Sequence, residues 1–228
     1  MCGRVIHKTP LGEIRTLFET VNAVPNSASN YNGAPTQQLP VVRLDEEGRR
    51  SLDLLRWGLI PFWAKDAAIG MRCINAMAET VAAKPAFRDA FRRRRCLVLV
   101  DGFYEWQKRP TGKKQPYAIV SANGKPFAMA GLWENWKEPQ SGETVRTFTI
   151  ITGPPNELVA PIHNRMPVIL PSAHWRAWLG EEPALPKELL ALLQPYPAEL
   201  MRAYPVNVRV GNVRNNDAAL IEPVALAS

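Results

Sequence analysis

Cys2 has the most distinctive chemistry in the sequence because of its position. Initiator methionine is normally removed when the next side chain is small, so we expect Met1 to be cleaved and Cys2 to become the first residue. Its α-amine, with a pKa of roughly 7.7–8.0, is then partly neutral near neutral pH. Such an amine condenses with an aldehyde to an imine, and the adjacent thiol closes a thiazolidine ring within the same residue. The position therefore predicts a residue that traps an aldehyde covalently.

Two other interpretations of Cys2 stay open at this point. An N-terminal cysteine can be the nucleophile of an amidohydrolase or of a self-processing peptidase, with its own amine as the base. It can also be an exposed chain end without a function. A metal site is not expected, because no other Cys or His stands at ligand spacing from it.

Three further residues could move protons or stabilise an oxyanion. His163 is one of only three histidines, and the nearby Arg165 suits proton transfer beside an anion. Glu105 stands between aromatic residues in a predicted strand. Alternation predicts that its carboxylate is exposed, whereas burial would raise its pKa and make it a general acid or base. Asn75 follows an apolar segment and could donate to a developing oxyanion, although asparagine is also common in turns.

The composition is that of a globular protein with a basic surface. The chain has 228 residues, of which 46% are hydrophobic and 21% charged, and its net charge is +7. This excess favours polyanionic partners. Three cysteines do not indicate a disulfide framework, and there is no signal peptide and no apolar run long enough to span a membrane. We therefore expect a cytoplasmic protein, and no nucleotide-binding glycine motif calls for a cofactor.

The tryptophans and arginines of the sequence are consistent with nucleic-acid binding. Seven tryptophans with a positive net charge match the combination of stacking platforms and a cationic groove found in single-strand binders. Trp57 and Trp63 are the predicted stacking residues, whereas Trp175 and Trp178 have the spacing of a helix that packs into a core. The run Arg92–Arg95 is more typical of a solvated helix face than of a phosphate contact.

Helices are predicted at both ends of a long series of strands. One begins after Thr9-Pro10, and another spans residues 80–95 with a restart at Pro85. Ser172 is predicted to cap a helix that ends at Gly180, and a last helix covers Lys187–Leu193. On the first helix, the apolar residues of one face are Leu11, Ile14, Leu17 and Phe18.

Short strands dominate the rest of the predicted secondary structure. Asn123-Gly124 indicates a hairpin turn, and Val24–Leu39 is predicted to be a loop. Because most strands follow other strands, we expect an α+β fold with a mixed, mainly antiparallel, barrel-like sheet flanked by helices. It forms one domain over residues 1–228, with a short tail over about 224–228. The predicted strands are Val41–Leu44, Leu52–Trp57, Leu97–Val100, Phe103–Gln107, Tyr117–Val120, Phe127–Leu132, Thr147–Thr152 and Pro167–Leu170.

Nine short segments, spread in order along the chain, form one combined pattern that covers residue 2 to about residue 223. They are Met1-Cys2-Gly3-Arg4, Tyr31-Asn32-Gly33-Ala34-Pro35-Thr36, Trp57-Gly58-Leu59-Ile60-Pro61, Asn75-Ala76 with Glu79-Thr80, Gly102-Phe103-Tyr104-Glu105-Trp106, Lys114-Gln115-Pro116-Tyr117, Ala130-Gly131-Leu132-Trp133, Ile162-His163-Asn164-Arg165-Met166-Pro167 and Asn212-Val213-Arg214. In order and spacing these segments resemble the SOS response-associated peptidase (SRAP) family, the abasic-site processing proteins.

The resemblance implies a protein that recognises abasic sites in single-stranded DNA and cross-links itself to them. Cys2 would supply amine and thiol for a thiazolidine with the open-chain sugar aldehyde. His163 would assist ring opening and proton transfer, and Glu105 would handle protons around the amine and in reversal of the adduct. Asn75 would hold the sugar. Imine chemistry of this kind also implies an AP-lyase side activity.

The resemblance also implies how DNA is held. Arg4 and Arg165 would bind phosphates, and Pro35 and Trp63 would pack against the bases beside the lesion. The expected partner is single-stranded DNA with an abasic site, bound by a monomer without metal, cofactor or membrane, in the cytoplasm and on the nucleoid when DNA is bound. The alternatives are a thiol peptidase that uses Cys2 and a non-covalent single-strand binding module.

Three positions depart from the family pattern. Met77 stands where an arginine often follows the site asparagine by two residues, which removes or moves one phosphate contact. Asn164 replaces an aspartate that is usual beside the histidine, and Ala64 follows Trp63 where some members have a second tryptophan. None of the three is an expected catalytic residue.

Overall fold

The computed structural model describes residues 2–110, 112 and 114–226, and within them twelve strands form two sheets. The strands are β1 (Val5–His7), β2 (Asn30–Gly33), β3 (Gln38–Leu44), β4 (Arg50–Trp57), β5 (Asn75–Met77), β6 (Arg95–Val100), β7 (Gly102–Lys108), β8 (Lys114–Ser121), β9 (Phe127–Lys137), β10 (Thr144–Gly153), β11 (Met166–Pro167) and β12 (Met201–Pro205).

The larger sheet closes into a five-stranded barrel. Its order is β10–β4–β3–β6–β9, and β9 pairs again with β10. Only the β4–β10 pairing is parallel in this ring. Closure leaves these five strands without a free edge. The end of β10 also pairs with β5 in parallel and with β11 antiparallel.

The smaller sheet is antiparallel, in the order β12–β8–β7–β1–β2. Four α-helices flank the sheets within the described residues: α1 (Leu11–Phe18), α2 (Arg88–Arg93), α3 (Trp175–Leu179) and α4 (Pro186–Ala191). The predicted α+β class with a mixed, mainly antiparallel, barrel-like core is therefore confirmed.

The segment Val24–Leu39, predicted to be a loop, contains β2 and the start of β3. Its asparagines and prolines hid the strand, which exists because β1 pairs with it, Val5 lying opposite Gly33. A Cβ at Gly33 would lie 3.0 Å from a Val5 methyl and 3.1 Å from a Leu39 methyl. The glycine thus allows the two strands to pack closely.

Asn123-Gly124 forms the predicted turn, but the hairpin prediction is wrong. Gly124 has a φ of 75°, and its N–H donates to the Ser121 carbonyl at 3.3 Å. The strands that it joins belong to different sheets, since β8 pairs with β7 and β12 while β9 pairs with β6 and β10. The turn therefore connects the barrel to the smaller sheet.

The predicted helices exist in shortened form. On α1, Leu17 is 41% exposed, so the buried face is narrower than predicted. The helix predicted over residues 80–95 is reduced to α2, because Pro85 has no N–H to donate and disfavours helical backbone before it. Ser172 lies in a 3₁₀ turn and caps no helix, whereas Gly180 ends α3 as predicted, with a φ of 98°.

Half of the arginine run has a structural role. The Arg95 Nε–H donates to the Trp178 carbonyl at 2.5 Å, and Arg94 pairs with Glu134 at 2.6 Å. Arg92 and Arg93 are exposed, as a solvated helix face predicts. The run therefore fastens α2 to α3 and β9.

The chain ends are only partly described. Met1, Ser228 and Ala227 lie outside the described residues, so removal of Met1 and the extent of the predicted tail over 224–228 stay predictions. Val224 still donates to the Pro205 carbonyl at 3.0 Å. Among the described residues, no helix is long and apolar enough to cross a membrane.

Candidate active site

Cys2 lies three residues before the start of β1 and is completely buried. It belongs to the same apolar cluster as Val5, Leu39 and Trp57. Burial raises the pKa of its thiol well above the ordinary value, and the charge of Glu105 raises it further. The positive charge of the amino terminus and a hydrogen bond from the Arg4 backbone N–H lower this pKa by less. The thiol is therefore neutral at physiological pH.

Glu105 approaches Cys2 because β1 and β7 are paired. Val5 lies opposite Phe103, and the Tyr104 N–H donates to the Arg4 carbonyl at 2.9 Å. Glu105 is 2% exposed, so the exposure that alternation predicts is wrong. Both faces of β7 are buried here: Phe103 packs in the cluster of Cys2, and Tyr104 packs in another cluster on the opposite face.

His163 is held in a defined orientation by its own loop. Its backbone N–H donates to the Val159 carbonyl at 2.9 Å. Its ring Nδ1 lies 3.0 Å from the Arg165 backbone nitrogen and 3.2 Å from the Arg165 carbonyl oxygen, so it accepts from one or donates to the other according to the tautomer. The half-buried imidazole is therefore held by the backbone of Arg165 in either tautomer.

Asn75 begins β5, opposite Ile150 of β10. Its Nδ2 donates to the Ile74 carbonyl at 3.0 Å. Its Oδ1 is buried and accepts no hydrogen bond from the described residues. A buried amide oxygen of this kind is costly unless a ligand or water donates to it, so it is suited to a hydroxyl group.

Several contacts bring the four predicted catalytic residues to one region. The Gln107 Nε2 donates to the Pro161 carbonyl at 3.1 Å, which joins the strand of Glu105 to the loop of His163. Ile74, beside Asn75, packs against the cluster that contains Cys2. The indole of the buried Trp57 donates to the Ile74 carbonyl at 2.8 Å and fixes that segment.

Glu79 is a site residue whose role the sequence did not reveal. Its two carboxylate oxygens accept from Arg165 at 2.5 and 2.9 Å, and the same guanidinium donates to the Thr152 carbonyl at 2.5 Å. The hydrogen bonds from Arg165 lower the pKa of Glu79. The pair joins the segment after β5 to the loop of His163.

Arg4 is half-buried and makes several internal contacts. One guanidinium nitrogen donates to Asn32 Oδ1 and to the Val210 carbonyl, both at 2.7 Å, and the cation lies 5.8 Å from the Trp106 ring centroid. Burial lowers its pKa. Asn32, which the sequence did not single out, also donates to the Val210, Asn212 and Asn215 carbonyls. Arg4 therefore ties β1 to the C-terminal segment.

The residues predicted to face bases differ in exposure. Trp63 is 48% exposed and Pro35 is half-buried, whereas Trp57 is fully buried against Phe148, so the prediction that Trp57 stacks on bases is wrong. Pro35 occupies the second position of a turn closed by the Gln37 N–H and the Ala34 carbonyl at 3.2 Å. The next residue, Thr36, has a φ of 76°, where glycine is usual. The strained turn presents Pro35 at the surface.

The three departures from the family pattern lie at different depths. Met77 and Asn164 are exposed beside the site, and Ala64 is buried, its carbonyl accepting from the Trp136 indole at 2.7 Å. Within the described part of the chain, no group of three or more His, Cys, Asp or Glu residues is arranged to hold a metal ion.

Comparisons with known proteins identify relatives of this chain. The chain is 42% identical over 224 residues to the abasic site processing protein YoqW of Bacillus subtilis, covering 97% of this chain and 99% of that protein. It is 33% identical to the abasic site processing protein HMCES of Gallus gallus, over 86% of this chain and 67% of that protein. A crystal structure of a protein from Bacteroides thetaiotaomicron superposes with a TM-score of 0.89 at 25% identity, over 98% of this chain and 100% of that one.

The family profile described as SOS response associated peptidase (SRAP) matches residues 1–213. This match spans every residue of the candidate active site. The chain belongs to the SRAP family.

Proposed function

We propose that this protein processes abasic sites in single-stranded DNA by forming a covalent thiazolidine through Cys2. The relatives named above are abasic site processing proteins. The observation that carries the proposal is the buried thiol of Cys2 beside the buried carboxylate of Glu105. Both lie on chain segments that pack around Asn75 and the loop of His163.

The first step is imine formation. After removal of Met1, the Cys2 α-amine attacks the aldehyde carbon of the open-chain sugar. The tetrahedral carbinolamine loses water and forms a C=N bond. His163 donates a proton to the departing oxygen and assists the preceding opening of the sugar ring. Asn75 Oδ1 accepts from a sugar hydroxyl and so holds the sugar in position.

The second step closes the ring. The Cys2 sulfur bonds to the imine carbon, the π electrons move to nitrogen, and the thiol proton is transferred to that nitrogen. Glu105 carries this proton, because its charge acts directly on the thiol. Overall one water is released and no oxidant or reductant is needed. The ring protects the adduct from the hydrolysis and β-elimination to which the imine is subject, so AP-lyase activity is a side reaction.

DNA is held by residues around this centre. Arg165 and Arg4 contact phosphates with the guanidinium donors that their internal hydrogen bonds leave available. Pro35 and the exposed Trp63 pack against the bases that flank the lesion. The protein acts as a monomer in the cytoplasm, where single-stranded DNA is its partner, and needs no cofactor.

The raised pKa of the Cys2 thiol counts against a thiol peptidase. A peptidase needs a thiolate as its first nucleophile, and both burial and the Glu105 charge oppose thiolate formation. In the thiazolidine route the amine attacks first, and sulfur reacts afterwards with an activated imine. A neutral buried thiol therefore fits the second chemistry better.

The test mixes the purified protein with two otherwise identical single-stranded oligonucleotides, one with a single abasic site and one without. A denaturing gel should show a shifted band only with the abasic oligonucleotide, and the band should survive high salt. A non-covalent binder would give no band on this gel. A peptidase would instead cleave peptides and lose that activity when Cys2 is replaced.

A further inference from the structure

A cavity of about 620 Å³ opens beside strands β3, β4 and β10, away from the four catalytic residues. This volume lies within the range of small-ligand sites, roughly 300–1,000 Å³. Its lining includes hydrogen-bonding side chains and two arginines, and it contains no carboxylate among the described residues. The residues that matter here are Thr36, Gln38, Arg56, Thr144, Val145 and Arg146.

The two arginines of this cavity, the partly buried Arg56 and the exposed Arg146, differ from Arg43 and Arg50 in their charge partners. Arg43 pairs with Asp53 at 2.8 Å, and Arg50 pairs with Glu181 at 2.6 Å. Arg56 and Arg146 have no ion pair among the described residues. Their positive charges are therefore available to an anion.

The cavity adjoins the turn that presents Pro35. Thr36, the next residue, lines the cavity, and its backbone N–H donates to the Trp57 carbonyl at 2.8 Å. Gln38 lies opposite Arg56 in the β3–β4 pair. The strands β1 and β2 are antiparallel, with Val5 opposite Gly33. The residues that follow Gly33, among them Pro35, therefore lie at the same end of this strand pair as Cys2.

The other side of the cavity adjoins the loop of Trp63. Val145 packs against a cluster formed by Ile60, Ala64 and Trp136. Ala64 directly follows Trp63, and the Ile60 N–H donates to Thr147 Oγ1 at 2.9 Å, next to Arg146. The cavity therefore adjoins the chain segments of both residues proposed to pack against bases.

Acidic residues mark where this basic surface ends. Arg146 also lines a second cavity of about 650 Å³, where Arg43, Arg93 and Arg95 are accompanied by Asp45, Glu46 and Glu47. The stretch without carboxylates is thus the one next to Pro35 and Trp63.

We propose that this cavity, the Arg56–Arg146 groove, binds the phosphates of single-stranded DNA on one side of the abasic site. The inference rests on the proposed function and adds a second contact region to it. Guanidinium groups bind phosphate oxygens through paired hydrogen bonds, and threonine hydroxyls and glutamine amides donate to the same oxygens. Such contacts position the strand without reading its sequence.

The experiment measures non-covalent binding to single-stranded DNA that contains a reduced abasic analogue without an aldehyde, as a function of salt. Each phosphate contact with a single strand contributes roughly 0.7 to the slope of log affinity against log salt. The R56Q/R146Q variant should therefore lower the magnitude of the slope by about 1.4 on an oligonucleotide of about 16 nucleotides. With oligonucleotides that extend from the analogue on one side only, the loss should be confined to one of the two sides.

The matched control is K125Q/R202Q. It removes the same charge from the exposed turn before β9 and from β12, neither of which lines the groove. Its slope should equal that of the wild type. Three results would contradict phosphate binding by the groove. They are an equal decrease of the slope in the control, an equal decrease on both sides of the analogue, and an unchanged slope in R56Q/R146Q.

Two further measurements distinguish a failure of this inference from misfolding of the variant and from a failure of the proposed function. If R56Q/R146Q does not fold, R146Q alone, at an exposed position, should reduce the slope by about 0.7. If the wild-type protein forms no cross-link with a true abasic site, the proposed function is contradicted. An unchanged slope beside normal cross-linking would contradict only the groove.

Discussion

Glu79 and Arg165 form a bidentate ion pair, which joins the segment after β5, the strand of Asn75, to the loop of His163. The carboxylate oxygens of Glu79 accept from the guanidinium at 2.5 and 2.9 Å. The backbone N–H of the same arginine donates to His163 Nδ1 at 3.0 Å. The pair therefore orients the imidazole by holding the residue to which it is bonded.

Replacing Glu79 by Gln should slow cross-linking without weakening DNA binding. The loop of His163 then loses its anchor, and a misplacement of about 1 Å can cost up to 10²-fold, so we expect a loss of about tenfold. Replacing His163 by Ala should reduce the cross-linking rate further, by about 10²-fold or more. Single-turnover kinetics at varied protein concentration separate rate from affinity. An effect of E79Q on affinity alone would show that Glu79 acts on DNA and not on His163.

The Glu79–Arg165 pair should also make stability depend on pH. Hydrogen bonds from Arg165 hold the pKa of Glu79 below its ordinary value of 4.5. A lowered carboxyl pKa contributes stability above the unfolded pKa, and this contribution is lost as the pH falls through the folded pKa. Because the pair is partly exposed, wild type and E79Q should differ by at most about 1 kcal/mol at neutral pH. Urea unfolding should show this difference closing below about pH 4.5, and a constant difference would contradict the argument.

Replacing Cys2 by Ser should leave an amine that forms only an imine. The hydroxyl is a much weaker nucleophile than the thiol, so the ring does not close. The adduct should then appear on a denaturing gel only after trapping with borohydride, whereas the wild-type adduct needs no trapping. C96S is the matched control, because Cys96 is an equally buried thiol, on β6, that has no role in the proposed reaction. A stable untrapped adduct from C2S would remove sulfur from the mechanism.

Replacing Glu105 by Gln should slow ring closure more than imine formation. The carboxylate that receives the thiol proton is lost, at a cost of about 10²-fold for a general base. The fraction of adduct that requires borohydride trapping should therefore rise, and E143Q, which removes an exposed carboxylate, should leave it unchanged. If E105Q slows both steps equally, Glu105 assists the amine and not the thiol.

Local patterns predicted much of the fold and singled out most residues of the candidate site. The series of short apolar strands indicated a barrel-like core, and the position of Cys2 indicated the chemistry that we propose for it. The burial of Glu105 was not predictable from alternation, because β7 is covered on both faces by clusters assembled from distant strands.

Contacts between distant segments account for the remaining differences. Glu79 and Arg165 are 86 residues apart, and only the pairing of β5 and β11 with β10 brings them together. The strand β2 was missed because its stability comes from β1 and not from its own residue types. Trp57 and Trp63 have the same side chain. Only tertiary packing distinguishes them, because Trp57 stacks on Phe148 inside a cluster built from several strands, whereas Trp63 is exposed.

The intact mass of the denatured adduct tests the central claim most directly. The wild-type protein is incubated with an abasic single-stranded oligonucleotide, denatured and weighed without reduction. The predicted mass is that of the chain without Met1 plus the oligonucleotide, less one water. An adduct whose protein part retains Met1, or the two components recovered unjoined, would contradict a bond made by the amine and thiol of Cys2.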